Sequence, residues 1–510
     1  MKKIAAGLFL AAGLPGLFAQ TNNPAARPLS LTDCFTEALK HNLDVQIEQT
    51  APEISLYNLK GAYSGYDPLF SFSGQHLYND SGASFQNGLP VAGSDYNEQL
   101  YNSGFSGGTP WGMTYDLAGN VSRTTGRNVG SAINGSGNPV YAYVPFQNSA
   151  GQIGALALTQ PLLKNFWIDS TRLSIRINKN RLQYNEQGVR WQIIKSVTDV
   201  EKAYYELIYA RENVKVQRDA LVLAQTQMDQ DKQRVQIGSV AERDGTIEQD
   251  ESQVAQSRAN LIKAESTLGT DQRVLKNLIT DEYPKWFDAD IQPTLTLEAP
   301  LQLFDLQDSW SKGMTQRPDL VQTRLDVEQQ GIRLKYYRNQ LFPEVDLIGT
   351  YGYNGSGQQF RDTFNQFSDA NRPFYSYGAQ LSIPLGNIGP RNQLKSGKMT
   401  EKQLLLTLKQ LEQNIMVEID NAVGVARSDY EAVDASRQTR IYAEAALNAE
   451  QKKYEVGKST TFTVLQLQNK LTLARSQEIR DLANYNQALA DLAKAEGSTL
   501  QRDKIDLEAK

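Results

Sequence analysis

The chain is nearly empty of metal- and redox-active side chains, with one cysteine and two histidines in 510 residues. Cys34 has no partner for an internal disulfide, and Cys34, His41 and His76 cannot fill a four-ligand zinc site. Past the N-terminus nothing supplies the ~18 consecutive apolar residues of a membrane-spanning helix. Lys and Arg number 52 against 57 Asp and Glu, for a net charge of -5, and no basic block marks a nucleic-acid footprint. Gly457-Lys458-Ser459 has a superficial likeness to a phosphate loop, but Lys452 stands where the first glycine is needed and a heptad helix precedes it. The carboxylates lie on helix faces among Lys and Arg, the pattern of solvated charge. No catalytic constellation, cofactor site or metal site is expected, and the chain does not read as an enzyme.

What is present is a sequence written twice. Residues 31–68 overlay 306–343 without a gap at an offset of 275, with Leu31/Leu306, Asp33/Asp308, Asp44/Asp319, Lys60/Lys335 and Pro68/Pro343 coinciding. Leu158-Thr-Gln-Pro-Leu162 echoes Leu381-Ser-Ile-Pro-Leu385, and Arg234-Val-Gln-Ile-Gly238 echoes Tyr454-Glu-Val-Gly457. Such a duplication constrains the whole architecture. At the N-terminus, Lys2 and Lys3 precede the apolar run Ile4–Phe18, the layout of a secretory signal peptide ending near residue 19.

Ile193, Val200, Leu207, Val214, Leu221, Met228 and Val235 recur every seven residues, and Ser196, Ala203, Ala210 and Ala224 keep a second line small. The series resumes as Ile247, Val254, Leu261, Leu268 and Leu275. Copy two repeats it with Ile419, Ala426, Val433, Leu447 and Tyr454, then Val464, Leu467, Leu471 and Ala474. A seven-residue period predicts left-handed supercoiling against neighbours. A continuous helix over 165–236 would run roughly 110 Å, which only an elongated bundle accommodates. Between the helices lie alternating segments: Val345, Leu347, Gly349, Tyr351 and Tyr353, then Tyr375, Tyr377, Ala379 and Leu381. Copy one offers Phe70 and Phe72, Leu156 and Leu158, and an extra run Tyr115, Leu117, Gly119, Val121. Tyr- and Phe-rich strands of period two fit a transmembrane β-barrel or a sheet with one wet face. In lipid such a sheet must close, and strands this few close only by joining those of other copies.

These features together resemble the TolC-type outer-membrane efflux protein family over nearly all of the chain. The resemblance rests on the doubled opening (Leu29-Ser-Leu-Thr-Asp33 with His41-Asn-Leu-Asp44, and Arg317-Pro-Asp-Leu320), on Leu341-Phe-Pro343 entering a strand, and on the repeated glycine bends. It implies an α+β membrane protein and homotrimer, with a 12-stranded transmembrane β-barrel (four strands per protomer) continued by a long periplasmic α-helical coiled-coil barrel. The partners it implies are a periplasmic adaptor protein, an inner-membrane transporter and outer-membrane lipid. The function it implies is a passive exit duct for efflux or type I secretion. A secreted coiled-coil adhesin or scaffold is the alternative; it accounts for the heptads but not for the duplicated strands.

The organisation expected is a signal peptide (1–19), a helix, strands and a long hairpin of copy one (20–66, 67–161, 162–280), and a linker (281–304). The same three parts of copy two follow (305–342, 343–386, 387–497), then a mobile tail (498–510). Region 98–122 is expected to lengthen an extracellular loop. By resemblance Gly238 and Gly457 mark the periplasmic tip, where Asp244 and Tyr454 would pair across a gate. Ser459 stands in place of a gate arginine, and Thr463 and Gln466 in place of two pore-ringing aspartates, so the tip is expected to be less blocked by cations.

Overall fold

The computed structural model describes residues 26–86, 89–91, 93–133, 135–137, 139–236 and 245–505. The proposed signal peptide lies outside them. In chain order the elements are β1 (Ala26–Leu29), α1 (Leu31–His41), α2 (Leu43–Ala62), β2 (Leu69–Asp80), the short β3 (Ser84–Gln86) and β4 (Leu89–Val91), β5 (Asp95–Gly108), β6 (Thr114–Ile133) and β7 (Pro139–Pro161). Then come α3 (Ser170–Gln236), α4 (Thr246–Ile279), α5 (Tyr283–Trp286), β8 (Asp290–Pro293), α6 (Leu306–Gln316), α7 (Pro318–Asn339), β9 (Glu344–Gly357) and α8 (Phe360–Asp369). The chain closes with β10 (Pro373–Ser382), α9 (Ile388–Glu455), α10 (Thr461–Glu496) and α11 (Thr499–Arg502).

The duplication survives in three dimensions. α1 and α6 begin and end at the same 275-residue offset, α3 and α9 run 67 and 68 residues, and α4 and α10 run 34 and 36. Pro68 and Pro343 each release the chain into a strand, as expected of a residue that cannot donate to a helix.

One compact unit comprises the described parts of residues 1–46, 192–316 and 417–510. β1 and β8 pair in parallel and are tied to α3 by Tyr204, whose hydroxyl donates to the Leu29 carbonyl at 2.9 Å and accepts from the Thr294 amide at 3.0 Å. Ile193, Val200, Leu207 and Val214 are buried as their spacing predicts, and so are Ile419, Ala426, Val433 and Leu447. Beyond Val214 the buried line changes. Leu221, Met228 and Val235 are only half-covered, and Ala224, Gln227 and Asp231 are buried instead. In α4 the buried line is Asp250, Ser257 and Ala264 rather than Ile247, Val254 and Leu261. Small residues let the chain's own helices approach closely, which leaves the larger apolar line half-covered. Cys34 is buried in α1, and burial pushes its thiol up to about 12, so it is inert. Residues 498–505 are not the mobile tail expected. Thr499 and Leu500 are buried, and Arg502 donates to Glu201 and to the Leu489 carbonyl at 3.0 Å.

The second unit comprises residues 47–191 and 317–416. Its centre is a single antiparallel sheet in the order β10-β9-β7-β6-β5-β2. Four strands were expected in this sheet, and it has six. Region 98–122 is not a loop extension: β5 pairs with β2 over twelve residues and with β6 over fourteen, joined by a tight turn in which the Thr109 amide donates to the Met113 carbonyl at 2.8 Å. That turn lies at the same edge as Pro68 and Pro161, so the hairpin runs the full height of the sheet. Copy two has no counterpart to it and places α8 between its two strands instead.

Candidate functional site

Directly opposed residues of neighbouring strands share a face, and consecutive residues alternate. One row therefore runs across all six strands as Phe70, Phe105, Leu117, Leu156, Tyr351 and Tyr375. Phe70 and Phe105 touch with ring centroids 4.9 Å apart. Phe72, Leu347, Tyr377 and Leu381 extend this apolar face, and all four are exposed. The row one residue away, on the opposite face, reads Leu69, Ser106, Asp116, Ala157, Thr350 and Ser376. Thr350 and Ser376 hydroxyls lie 2.6 Å apart there. The sheet thus has one aromatic face and one wet face, with unpaired edges at β2 and β10.

In the other unit, the bend between α9 and α10 is a Schellman turn. Gly457 takes a left-handed φ of +71°, its amide donates to the Tyr454 carbonyl at 3.0 Å, and the Lys458 amide donates to the Lys453 carbonyl at 2.8 Å. A side chain at Gly457 would be strained. Thr460 caps α10, accepting from the Thr463 amide at 3.3 Å. Ser459 donates to Glu450 at 2.5 Å. Thr463 is half-buried and Gln466 exposed. Gly238 and Asp244 lie outside the described residues, so the expected Tyr454–Asp244 contact does too.

Among the described residues Tyr454 engages one that the sequence did not single out. Its hydroxyl donates to Asp231 at 2.5 Å and lies 2.8 Å from the Thr461 hydroxyl, itself 3.1 Å from Asp231. Gln227 donates to Asp231 at 2.8 Å, and the Arg234 guanidinium stacks 4.4 Å over the Tyr454 ring. Burial, then the bond to Asp231, hold the phenol above its ordinary value. Asp250 on α4 is fully buried against Asp231, and neither of its oxygens has a donor among the described residues. Burial, then the charge of Asp231, push Asp250 up to about 7, against the opposing pull of Lys232. The cluster joins all four long helices, with Asp231 from α3, Asp250 from α4, Tyr454 from α9 and Thr461 from α10. Sequence inspection had a signal for it: the small line Ser196, Ala203, Ala210, Ala224 extended by seven lands on Asp231.

Residues 311–498 match the family model "Outer membrane efflux protein". The chain is 23% identical to the "Outer membrane protein TolC" of Vibrio cholerae over 316 residues, covering 61% of this chain and 69% of that protein. It is 20% identical to the Escherichia coli protein of the same name, of which the alignment spans 63%, less than two thirds. The crystal structure of the Campylobacter jejuni CmeC outer membrane channel has the same fold, with a TM-score of 0.65 at 14% identity over 94% of this chain and 90% of that one.

Proposed function

We propose, for a chain that belongs to the TolC-type outer-membrane efflux protein family and resides in the outer membrane, that three copies form a passive exit duct. The observation that carries this reading is the two-faced sheet. An aromatic row exposed across six strands suits lipid, and the Asp116 row behind it suits a water-filled lumen. The unpaired β2 and β10 edges cannot remain open in hydrocarbon, so β2 of one copy pairs with β10 of the next. Six strands from each of three copies make an eighteen-stranded wall, rather than the twelve the resemblance implied. Barrel diameter grows roughly linearly with strand number, so this exit is about 1.5 times as wide as a twelve-stranded one.

The half-covered heptads Leu221, Met228, Val235 and Ile247, Val254, Leu261 face the neighbouring copies, so that the long helices of three copies line one tube. The Gly457 bend meets a periplasmic adaptor and an inner-membrane transporter, and these supply both energy and choice of cargo. Asp231, Asp250, Tyr454 and Thr461 form a latch holding the two hairpins of each copy together near that bend. The protein catalyses nothing; it opens and closes.

Gel migration after outer-membrane extraction tests the duct reading. The expected result is an assembly of three copies that survives unheated detergent and collapses to the single chain on boiling. A water-soluble extended fibre, the product of an adhesin, would overturn it.

A further inference from the structure

Helix α8 is seated on the aromatic face of the sheet, and it leaves a cavity beneath it. Thr363, fully buried, donates to Ser149 at 2.8 Å, and Gln366 accepts from the Ser356 amide at 3.0 Å. The seat is cut by glycine: a Cβ at Gly355 would come within 2.7 Å of the Phe367 ring, and one at Gly357 within 2.4 Å of Asp362. Between helix and sheet lies a groove of about 400 Å³, within the ~300–1,000 Å³ range of small-molecule sites. Phe72, Tyr101, Val121, Ile153, Phe364 and Phe367 supply its apolar walls.

The groove is continuous with the aromatic face. Phe72 follows Phe70 of the six-strand row by two residues on the same side, and is opposed by Ser103 next to Phe105. Phe72 and Ile153 are exposed at its mouth, whereas Val121 and Phe367 are buried deeper in. No charged side chain lines it. An apolar slot that opens onto a lipid-facing belt takes what lies against that belt, at ~0.8 kcal/mol per methylene removed from water.

We propose that this groove is a binding site for one acyl chain of a membrane lipid, held under α8 in each copy. The inference rests on the reading of the sheet as a membrane wall. The chain enters past Phe72 and Ile153 and ends against Val121 and Phe367. Among the described residues copy one has no helix in the equivalent place, so the proposal is one site per protomer.

Reporter tryptophans in the full chain, reconstituted in vesicles of phosphatidylcholine brominated mid-chain, test this. Emission is read as the difference from the parent chain. Phe70→Trp reports the belt and Ile153→Trp the groove. Gly119 lines the groove, and a Cβ there would meet only ordinary contacts at 3.5 Å and 4.0 Å, so Gly119→Leu fills the space without disturbing the strand. The expected result is that both reporters lose most of their emission, and that Gly119→Leu restores the Ile153→Trp signal while leaving Phe70→Trp quenched. Quenching of Phe70→Trp alone would overturn the site and keep the wall. Quenching of Ile153→Trp that ignores Gly119→Leu would reduce the groove to open surface and overturn it too. An unquenched Phe70→Trp would overturn the wall and the site with it.

Discussion

Replacing Leu117 by arginine should remove the protein from the outer membrane, whereas replacing Asp116 by arginine should leave it there. The two positions are adjacent in β6 and share one height in the sheet, differing only in the face they occupy. Leu117 stands between Phe105 and Leu156 in the aromatic row; Asp116 stands between Ser106 and Ala157 on the wet side. An arginine facing lipid costs up to ~2–4 kcal/mol, depending on depth, and closure by three copies repeats that roughly three times in one barrel. This is comparable to the whole folding stability of an ordinary domain. At position 116 a charge is already accommodated, so reversing its sign alters only the lumen field. The measurement is the amount of assembled protein in washed outer membranes. Equal loss for both substitutions would mean that the sheet has no lipid side.

The second large effect is at the bend. Tyr454→Phe should raise single-channel conductance, because it removes the phenol that donates to the buried Asp231 carboxylate. A hydrogen bond to a charged group is worth ~1.5–3 kcal/mol. Its loss shifts a two-state closed-to-open ratio by ~10–150-fold in each protomer. The same cluster makes closure depend on pH, and the sign is fixed by Asp250. Its value of about 7 in the latched state lies above the ordinary carboxylate value of ~3.9. The stabilisation is therefore complete below ~pH 4 and is lost as pH rises through about 7. Above that, Asp250 is ionised against the buried Asp231 side chain, and α3 and α4, which carry them, are driven apart. The groups facing the pair are Gln227 and Lys232 on α3, Tyr454 on α9 and Thr461 on α10, with Arg234 stacked over the Tyr454 ring and Glu251 paired to Lys232. Conductance should climb as pH rises from ~4 to about 7 and level off above it. In Asp250→Asn the step should vanish, with the channel held shut, since an amide donates to Asp231 at any pH. A step of unchanged size in Asp250→Asn would assign the pH dependence to other groups.

Much of this was legible in the chain. The 275-residue offset marked the second copy where α6 and α7 lie, and Leu341-Phe-Pro343 marked the entry to β9, because backbone chemistry acts locally. The wall's strand count was not legible. Tyr115, Leu117, Gly119 and Val121 alternate properly, but their partner β5 carries Asn97, Glu98, Gln99, Asn102, Ser103 and Gly104, which reads as loop. Only pairing on both sides, to β2 and β6, makes that polar segment a strand. Asp231 and Asp250 were missed for a related reason. On a helix whose larger apolar line lies elsewhere, an aspartate looks solvated, and it becomes buried only when the small-residue line is chosen as the contact within the chain.

The central claim is that the inserted β5–β6 hairpin belongs to a closed wall shared by three copies. Imaging the detergent-extracted assembly at a resolution that separates strands tests it most directly. The account predicts a threefold particle with eighteen strands in one continuous barrel, with Phe105 and Leu117 on its outer surface. A twelve-stranded barrel with β5 and β6 folded outside the wall would contradict it.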